Sequence, residues 1–383
     1  MPGLAGDHEI LVVDNASTDG TPGMLAGEFP DVQLIRRPSN EGVSARNHAL
    51  ARASGRYVML IDDDSYPLDD AAARALAWME ASPRCGAVVG RVVLPEGGLE
   101  ASALPGVIIN CAVVLRKSAL DQVGYFPREF FRQAEEYDLS FRLWDAGYTI
   151  ERFEDLVYRH EKVGGNRWPA WIHRLDLRNN LILIERYLPP ELRRIYRRDW
   201  TQRYFLLARH AGHAWAARRG WLQAQAWRMR YATLAPRRTL RPEAVEAVFQ
   251  GEAQSRAIAA WARAQAVRRV AVADFSKNVY ATWQGCRAAG LHIEALWDAH
   301  PAFTGQSYRR RPIVGEPPAV DGVVLSNINP AQIEKRLAAL RASFPGPILT
   351  LWQPVYLKDS PRITVPPGPE PRLPTITPLA QAG

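Results

Sequence analysis

Apolar residues in the first 165 positions come in short unbroken runs rather than in alternation. "EILVVDN" (9–15), "VQLIRR" (32–37), "RYVMLIDDD" (56–64) and "AVVGRVVL" (87–94) are rich in Val, Ile and Leu and are punctuated by Gly, Pro and Asn. Between them lie the helix-like segments "GTPGMLAGEF" (20–29) and "SARNHALARAS" (44–54). Strands apolar on both faces that alternate with helices predict an α/β domain, residues 1–165, built on a mostly parallel covered sheet. Ligands of such sheets bind beyond the carboxyl ends of the strands. Asp14 ends one run and Asp62, Asp63 and Asp64 end another, so both acidic groups are expected to face one crevice.

From 166 to 265 the period changes. In "NRWPAWIHRLDLRNNLILIERYLPPELRRIYRRDW" and "RYFLLARHAGHAWAARRGWLQAQAWRMRYATLAPRR", aromatic and aliphatic residues recur every three or four positions with arginines between them. That is the mark of amphipathic helices. Two readings stay open: a helical subdomain packed on the first domain, or helices in a membrane interface with Trp at headgroup depth and Arg on anionic lipid. Residues 266–357 alternate again, predicting a second, smaller α/β domain. It resembles, at fold level only, the Rossmann-like domains of nucleotide-sugar epimerases. Its first turn, "ADFSKN", has no glycine to let backbone approach a pyrophosphate. Asp298 ends the second strand, where such folds bind a ribose. Without a phosphate cradle the domain is expected to serve structure or assembly. Residues 358–383 are proline-rich and expected to be disordered.

A formal charge of +8 favours anionic partners: a phosphorylated sugar donor, a lipid surface or nucleic acid. No nucleic-acid motif accompanies the basic residues, so no nucleic-acid partner is expected. Cys85, Cys111 and Cys286 show neither a pairing pattern nor metal-ligand spacing, which points to a reducing compartment. No uncharged stretch reaches the roughly 20 residues that span a bilayer. "MPGLAGDHEI" lacks the cationic and apolar regions of a signal peptide. The expectation is a cytoplasmic protein with peripheral contact at the inner face of the plasma membrane.

Three adjacent carboxylates repel one another unless a cation or hydrogen-bond donors offset the repulsion. Mg²⁺ and Mn²⁺ accept carboxylate oxygens and bridge to phosphates. On extended backbone Asp62 and Asp64 would share a side and Asp63 point away. The triplet alone reads equally well as a solvated acidic turn before Pro67. "VVDNASTDGT" (12–21), "NEGVSARNHALARASGRYVMLIDDDS" (40–65) and "FFRQAEEYDLSFRLWDAGY" (130–148) occur in that order. Together they closely resemble the family 2 glycosyltransferases of the GT-A fold, over roughly residues 8–165.

That resemblance implies a nucleotide-diphospho-sugar donor, a divalent metal (Mg²⁺ or Mn²⁺) and transfer with inversion to a hydroxyl of a glycan, lipid-linked or protein-glycan acceptor. It places Asp14, Asn15 and Arg46 at the nucleotide, and Asp62 and Asp63 near the sugar-nucleotide. Asp62, Asp64 and His160 are its implied metal ligands, and Glu136 is the implied catalytic base. Glutamate stands there where many relatives have aspartate. Asp138 and Arg142, at i and i+4, are expected to pair within their helix. Cys111 has no activating neighbour in sequence and is expected to be a buried small residue. Relatives begin with a strand and helix upstream, whereas eight residues precede Glu9, so the true start is expected upstream of Met1. Two rivals are a nucleotidyltransferase, for which a glycine-rich basic loop is lacking, and a catalytically impaired glycan-binding or assembly protein.

Overall fold

The computed structural model describes residues 8–162, 169–234 and 238–360. β1 (Leu11–Asp14) and β2 (Gln33–Arg36) pair in parallel as a two-stranded sheet, with α1 (Thr21–Glu28) between them. α2 (Asn47–Leu50) leads to a larger sheet made of β3 (Tyr57–Leu60), β4 (Ser65–Pro67), β5 (Cys85–Val93), β6 (Leu99–Glu100), β7 (Val113–Arg116) and β8 (Thr149–His160). Its order is β3-β7-β5-β8-β4, with β6 beside β5.

The α/β class is as the sequence predicts, but this larger sheet is mixed rather than mostly parallel. β5 and β8 run parallel, and the other ladders are antiparallel. The reason is physical. α3 (Ala71–Ala81) packs on β5, β7 and β8, α4 (Lys117–Val123) on β7, and α5 (Glu135–Asp145) on β8. Covered strands read as unbroken apolar runs whichever way they point, so the pattern reports coverage and not direction.

α6 (Pro169–Tyr187) packs against α7 (Pro190–His210) and α8 (Ala214–Leu234). Leu177, Leu181, Ile184, Tyr196 and Trp200 share a core with Leu104, Phe130, Tyr137 and Phe141 of the first region. The helical stripe is therefore largely spent on packing. α8 differs: Trp215, Leu222 and Met229 on it are 61%, 60% and 66% exposed. No helix among the described residues is long and apolar enough to cross a membrane.

α9 (Pro242–Phe249) and α10 (Gly251–Ala264) lead into the second α/β region. It comprises β9 (Arg269–Ala273), α11 (Val279–Ala288), β10 (His292–Trp297), β11 (Ser307–Tyr308), β12 (Arg311–Val314), β13 (Gly322–Leu325), α12 (Ile333–Ser343) and β14 (Ile348–Thr350). The strand order is β11-β12-β10-β9-β13-β14, parallel throughout except β11 with β12. Its five parallel strands, numbered along the chain, stand 3-2-1-4-5, the doubly wound order. That order does not bear on kinship with epimerases.

The chain then returns to the first sheet. Glu154 donates its amide to the Val355 carbonyl at 2.8 Å, and Leu357 and Lys358 donate theirs to the Asp155 carboxylate. Of the proline-rich tail, residues 361–383 lie outside the described residues.

Candidate functional site

Beyond β3 the chain makes a tight turn. The Asp62 amide donates to Ser65 Oγ at 2.7 Å, and the Ser65 amide donates back to the Asp62 carbonyl at 3.1 Å. This turn, not strand alternation, leaves Asp63 exposed while Asp62 and Asp64 are half-buried. β4 then pairs with β8 so that Ser65 stands opposite His160. One ligand atom each from Asp62, Asp64 and His160 lies within 4.8 Å of the others.

His160 is held between two carboxylates. Its Nε2 is 3.1 Å from Asp64 Oδ1, and its Nδ1 is 2.9 Å from Glu100 Oε2. Sequence reasoning missed Glu100, which sits in the two-residue strand β6 with no motif around it. Arg46, on the 3₁₀ turn Gly42–Arg46, forms a close ion pair with Asp62.

Asp14 is buried at the end of β1. Its Oδ1 accepts the Ser17 amide at 3.0 Å, and the Ser17 hydrogen bonds hold its carboxyl below the usual range. Asn15 is spent on the loop before Arg46. It donates to Asn40 Oδ1 and the Gly42 carbonyl, and accepts from the Glu41 amide. Gly42 has φ +62°, and a Cβ there would sit 2.1 Å from the Phe131 carbonyl oxygen, so only glycine fits. This contact ties the Asn15–Arg46 loop to the segment that opens α5.

That segment is strained. Phe131, Gln133 and Ala134 have φ of 60°, 72° and 68°, conformations that non-glycine residues adopt at a cost. Asn179 of α6 holds them by donating from Nδ2 to the carbonyls of Phe130, Arg132 and Gln133 at 3.0, 2.8 and 2.8 Å. No sequence signal marked Asn179.

α5 opens with Glu135, Glu136 and Asp138 in its first turn. Burial, reinforced by Glu136, pushes the Glu135 carboxyl up to about 8, and Asn110 donates to its Oε1 at 3.1 Å. Burial also raises Glu136, against the pull of Lys277. Desolvation dominates that rise, with Asp176 adding to it. Asp138 is engaged elsewhere. Arg142 pairs with it at 2.8 Å as the spacing predicts, Arg186 at 2.8 Å, and the Tyr187 hydroxyl donates to it at 2.7 Å.

A cavity of about 370 Å³ joins these groups, lined among others by Asp62, Glu100, His160, Glu135, Glu136 and Lys277. Asp14, Asn15, Arg46, Asp63 and Asp64 do not line it. Cys111 does, but as a buried residue whose thiol is pushed well up by desolvation.

Residues 4–122 match the family described as Glycosyl transferase family 2. The family 2 match takes in Asp14, Asn15, Arg46 and Asp62 to Asp64 and ends before Glu136 and His160. The chain is similar to the putative glycosyltransferase EpsE of Bacillus subtilis, 26% identical over 170 residues, 39% of this chain and 61% of EpsE. It is equally similar to the putative teichuronic acid biosynthesis glycosyltransferase TuaG of the same organism, 26% over 183 residues, 42% of this chain and 72% of TuaG. The crystal structure of S. aureus TarS 1-349 aligns at 17% identity and a TM-score of 0.41, over 73% of this chain and 81% of that one. The chain thus spans about three fifths of the length of EpsE.

Proposed function

We propose that the chain is a metal-dependent, inverting glycosyltransferase. It moves a sugar from a nucleotide-diphospho-sugar to a hydroxyl of a glycan, lipid-linked or protein-glycan acceptor. The observation that carries this reading is the meeting of the Asp62–His160 cluster with buried Glu135 and half-buried Glu136 on one cavity. The family 2 match over residues 4–122 supports it.

The donor set suits a hard divalent cation such as Mg²⁺ or Mn²⁺: two carboxylates and an imidazole within reach of one point. Asp62, Asp64 and His160 would hold it, with Glu100 fixing the imidazole as carboxylates do behind metal-bound histidines. When bound, such an ion offsets the negative charge that grows on a departing diphosphate. Arg46, already beside Asp62, adds a fixed positive charge there. Asp14, Asn15 and Asp63 are the nucleotide-side residues of this reading. Glu136 takes the proton of the acceptor hydroxyl, which attacks the anomeric carbon opposite the leaving group and inverts it.

Relatives such as TuaG, named for teichuronic acid biosynthesis, favour a cell-surface polysaccharide or its lipid-linked precursor as acceptor. The exposed face of α8 favours peripheral contact with the inner membrane surface. A non-catalytic glycan-binding role would leave the Asp62, Asp64 and His160 cluster without a use.

Calorimetric titration with UDP and GDP tests the metal assignment. Affinity is expected to fall at least tenfold when EDTA replaces Mn²⁺, and again in Asp64→Ala. Equal affinity in EDTA would end the assignment, and release of nucleoside diphosphate from a panel of nucleotide sugars identifies the donor.

A further inference from the structure

The turn after β9 is the place where a doubly wound sheet would bind a ligand of its own, yet here it is closed. Asp274 is bound by both Arg336 Nε and Nη2, at 2.9 and 2.6 Å. The Asp298 carboxylate, expected at a ribose, instead accepts the amides of Phe275 and His300 at 2.8 and 2.9 Å. The turn is also fastened to the helical region. Trp200 Nε1 donates to the Lys277 carbonyl at 2.8 Å, and the Tyr196 hydroxyl meets Asn278 Oδ1 at 3.2 Å.

Fastened this way, the turn directs Lys277 out of its own region and into the first region's cavity. The ammonium is buried, 3.5 Å from the centre of the Tyr137 ring and 4.5 Å from that of Trp200. Lys277 and Glu136 both line that cavity. Asp176 and Arg203 line the same space.

Three buried oxygens of that cavity have no hydrogen-bond partner: Asn110 Oδ1, Asn180 Oδ1 and Glu135 Oε2. Asn180 and Glu135 are 2% and 6% exposed. Leaving such atoms unpaired is costly, so the site is built for something that pairs them. The amide oxygens only accept, the lysine nitrogen donates, and a carboxyl does either according to its proton. Hydroxyl groups, which donate and accept, match that set. A phosphate or carboxylate, which only accepts, would face the amide oxygens with nothing to give.

We propose that Lys277 is an acceptor-positioning residue, and that it, Asn110, Asn180 and Glu135 together bind a neutral, hydroxyl-rich sugar unit against Glu136. On this view, which rests on the transferase reading, the second α/β region completes the first region's site instead of holding a ligand itself.

The test is saturation-transfer NMR on the full chain with Mg²⁺ and UDP or GDP present. The probes are methyl glycosides of glucose, galactose and N-acetylglucosamine, with the methyl glycoside of glucuronic acid as the anionic control. Neutral glycosides are expected to bind better than the uronate. Lys277→Met should weaken sugar binding at least tenfold while nucleoside-diphosphate affinity stays within twofold, a split that a general loss of structure does not give. Should Lys277→Met melt early, Asn180→Ala carries the same expectation. Unchanged sugar binding in the variant that folds, or preference for the uronate, overturns the proposal. Failure of the transferase reading looks different: the wild type then binds no nucleoside diphosphate in any metal, while sugar binding remains directly measurable.

Discussion

Glu135, Glu136 and Asp138 share one helix turn and have three different fates. Asp138 is neutralised by Arg142 and Arg186 and capped by Tyr187, so Asp138→Asn should act on stability, by about 3–5 kcal/mol as for other broken buried pairs. Glu136→Gln should instead leave the fold and nucleotide affinity intact and lower kcat roughly 10²–10⁴-fold. Steady-state kinetics beside thermal melts separates the two. Glu135 is a pH reporter. Its carboxyl, usually near 4.5, is raised to about 8 in the folded state, so it stays protonated in the fold while the unfolded chain has already ionised. Stability from this group is whole below about 4.5 and is lost as pH rises through about 8. The melting temperature of Glu135→Gln should therefore climb relative to wild type from pH 5 to pH 8; a constant difference would contradict it. Asp62, Asp64 and Glu136 could be picked out as candidates because they stand in motifs that resemble those of a known family. Glu100, Asn179 and Lys277 were not, since each meets the cavity through a fold contact with no local pattern to announce it.

Among elements, the segment 130–134 and α8 show what periodicity can and cannot tell. The sequence marked a helix start at Glu135 but not the three positive-φ residues before it, because their conformation is imposed from α6 by Asn179. The helical stripe was legible, and which faces stay open was not. On α8, Trp215, Leu222 and Met229 recur every seven residues, so they share a face, and Arg218 and Arg219 flank it in solvent. Such a face can seat in a lipid headgroup layer. Co-sedimentation with phosphatidylglycerol vesicles is expected to be strong at low salt, to weaken as salt screens the arginines, and to be lost in a Trp215→Glu, Leu222→Glu double variant. Equal binding to purely zwitterionic vesicles would rule out the electrostatic part.

In the molecule as a whole, the two α/β regions are not separable parts. Leu206 of α7 is buried with Val270, Val272 and Phe275, and Ile328 joins the core around Trp200. A chain ending at residue 265 would bare those side chains, and it is expected to aggregate on size-exclusion chromatography; a monomeric truncation with native near-ultraviolet circular dichroism would show the first region self-sufficient. The alternation of runs revealed two α/β regions. It could not reveal that they share a cavity, since nothing in either pattern refers to the other.

The return of the chain to β8 sets a clock on synthesis. Asp155 accepts its hydrogen bond from the Leu357 amide, a partner 202 residues further along. At 5–20 residues per second, a ribosome needs roughly 10–40 s to cover that distance. Lys277 emerges within the same interval. Through that time the first sheet stands translated but unfinished, with one strand awaiting its last donors and the cavity open on the side Lys277 will close. On the proposed reading, a nascent chain stalled before Lys277 lacks one wall of its cavity and should not hold sugar.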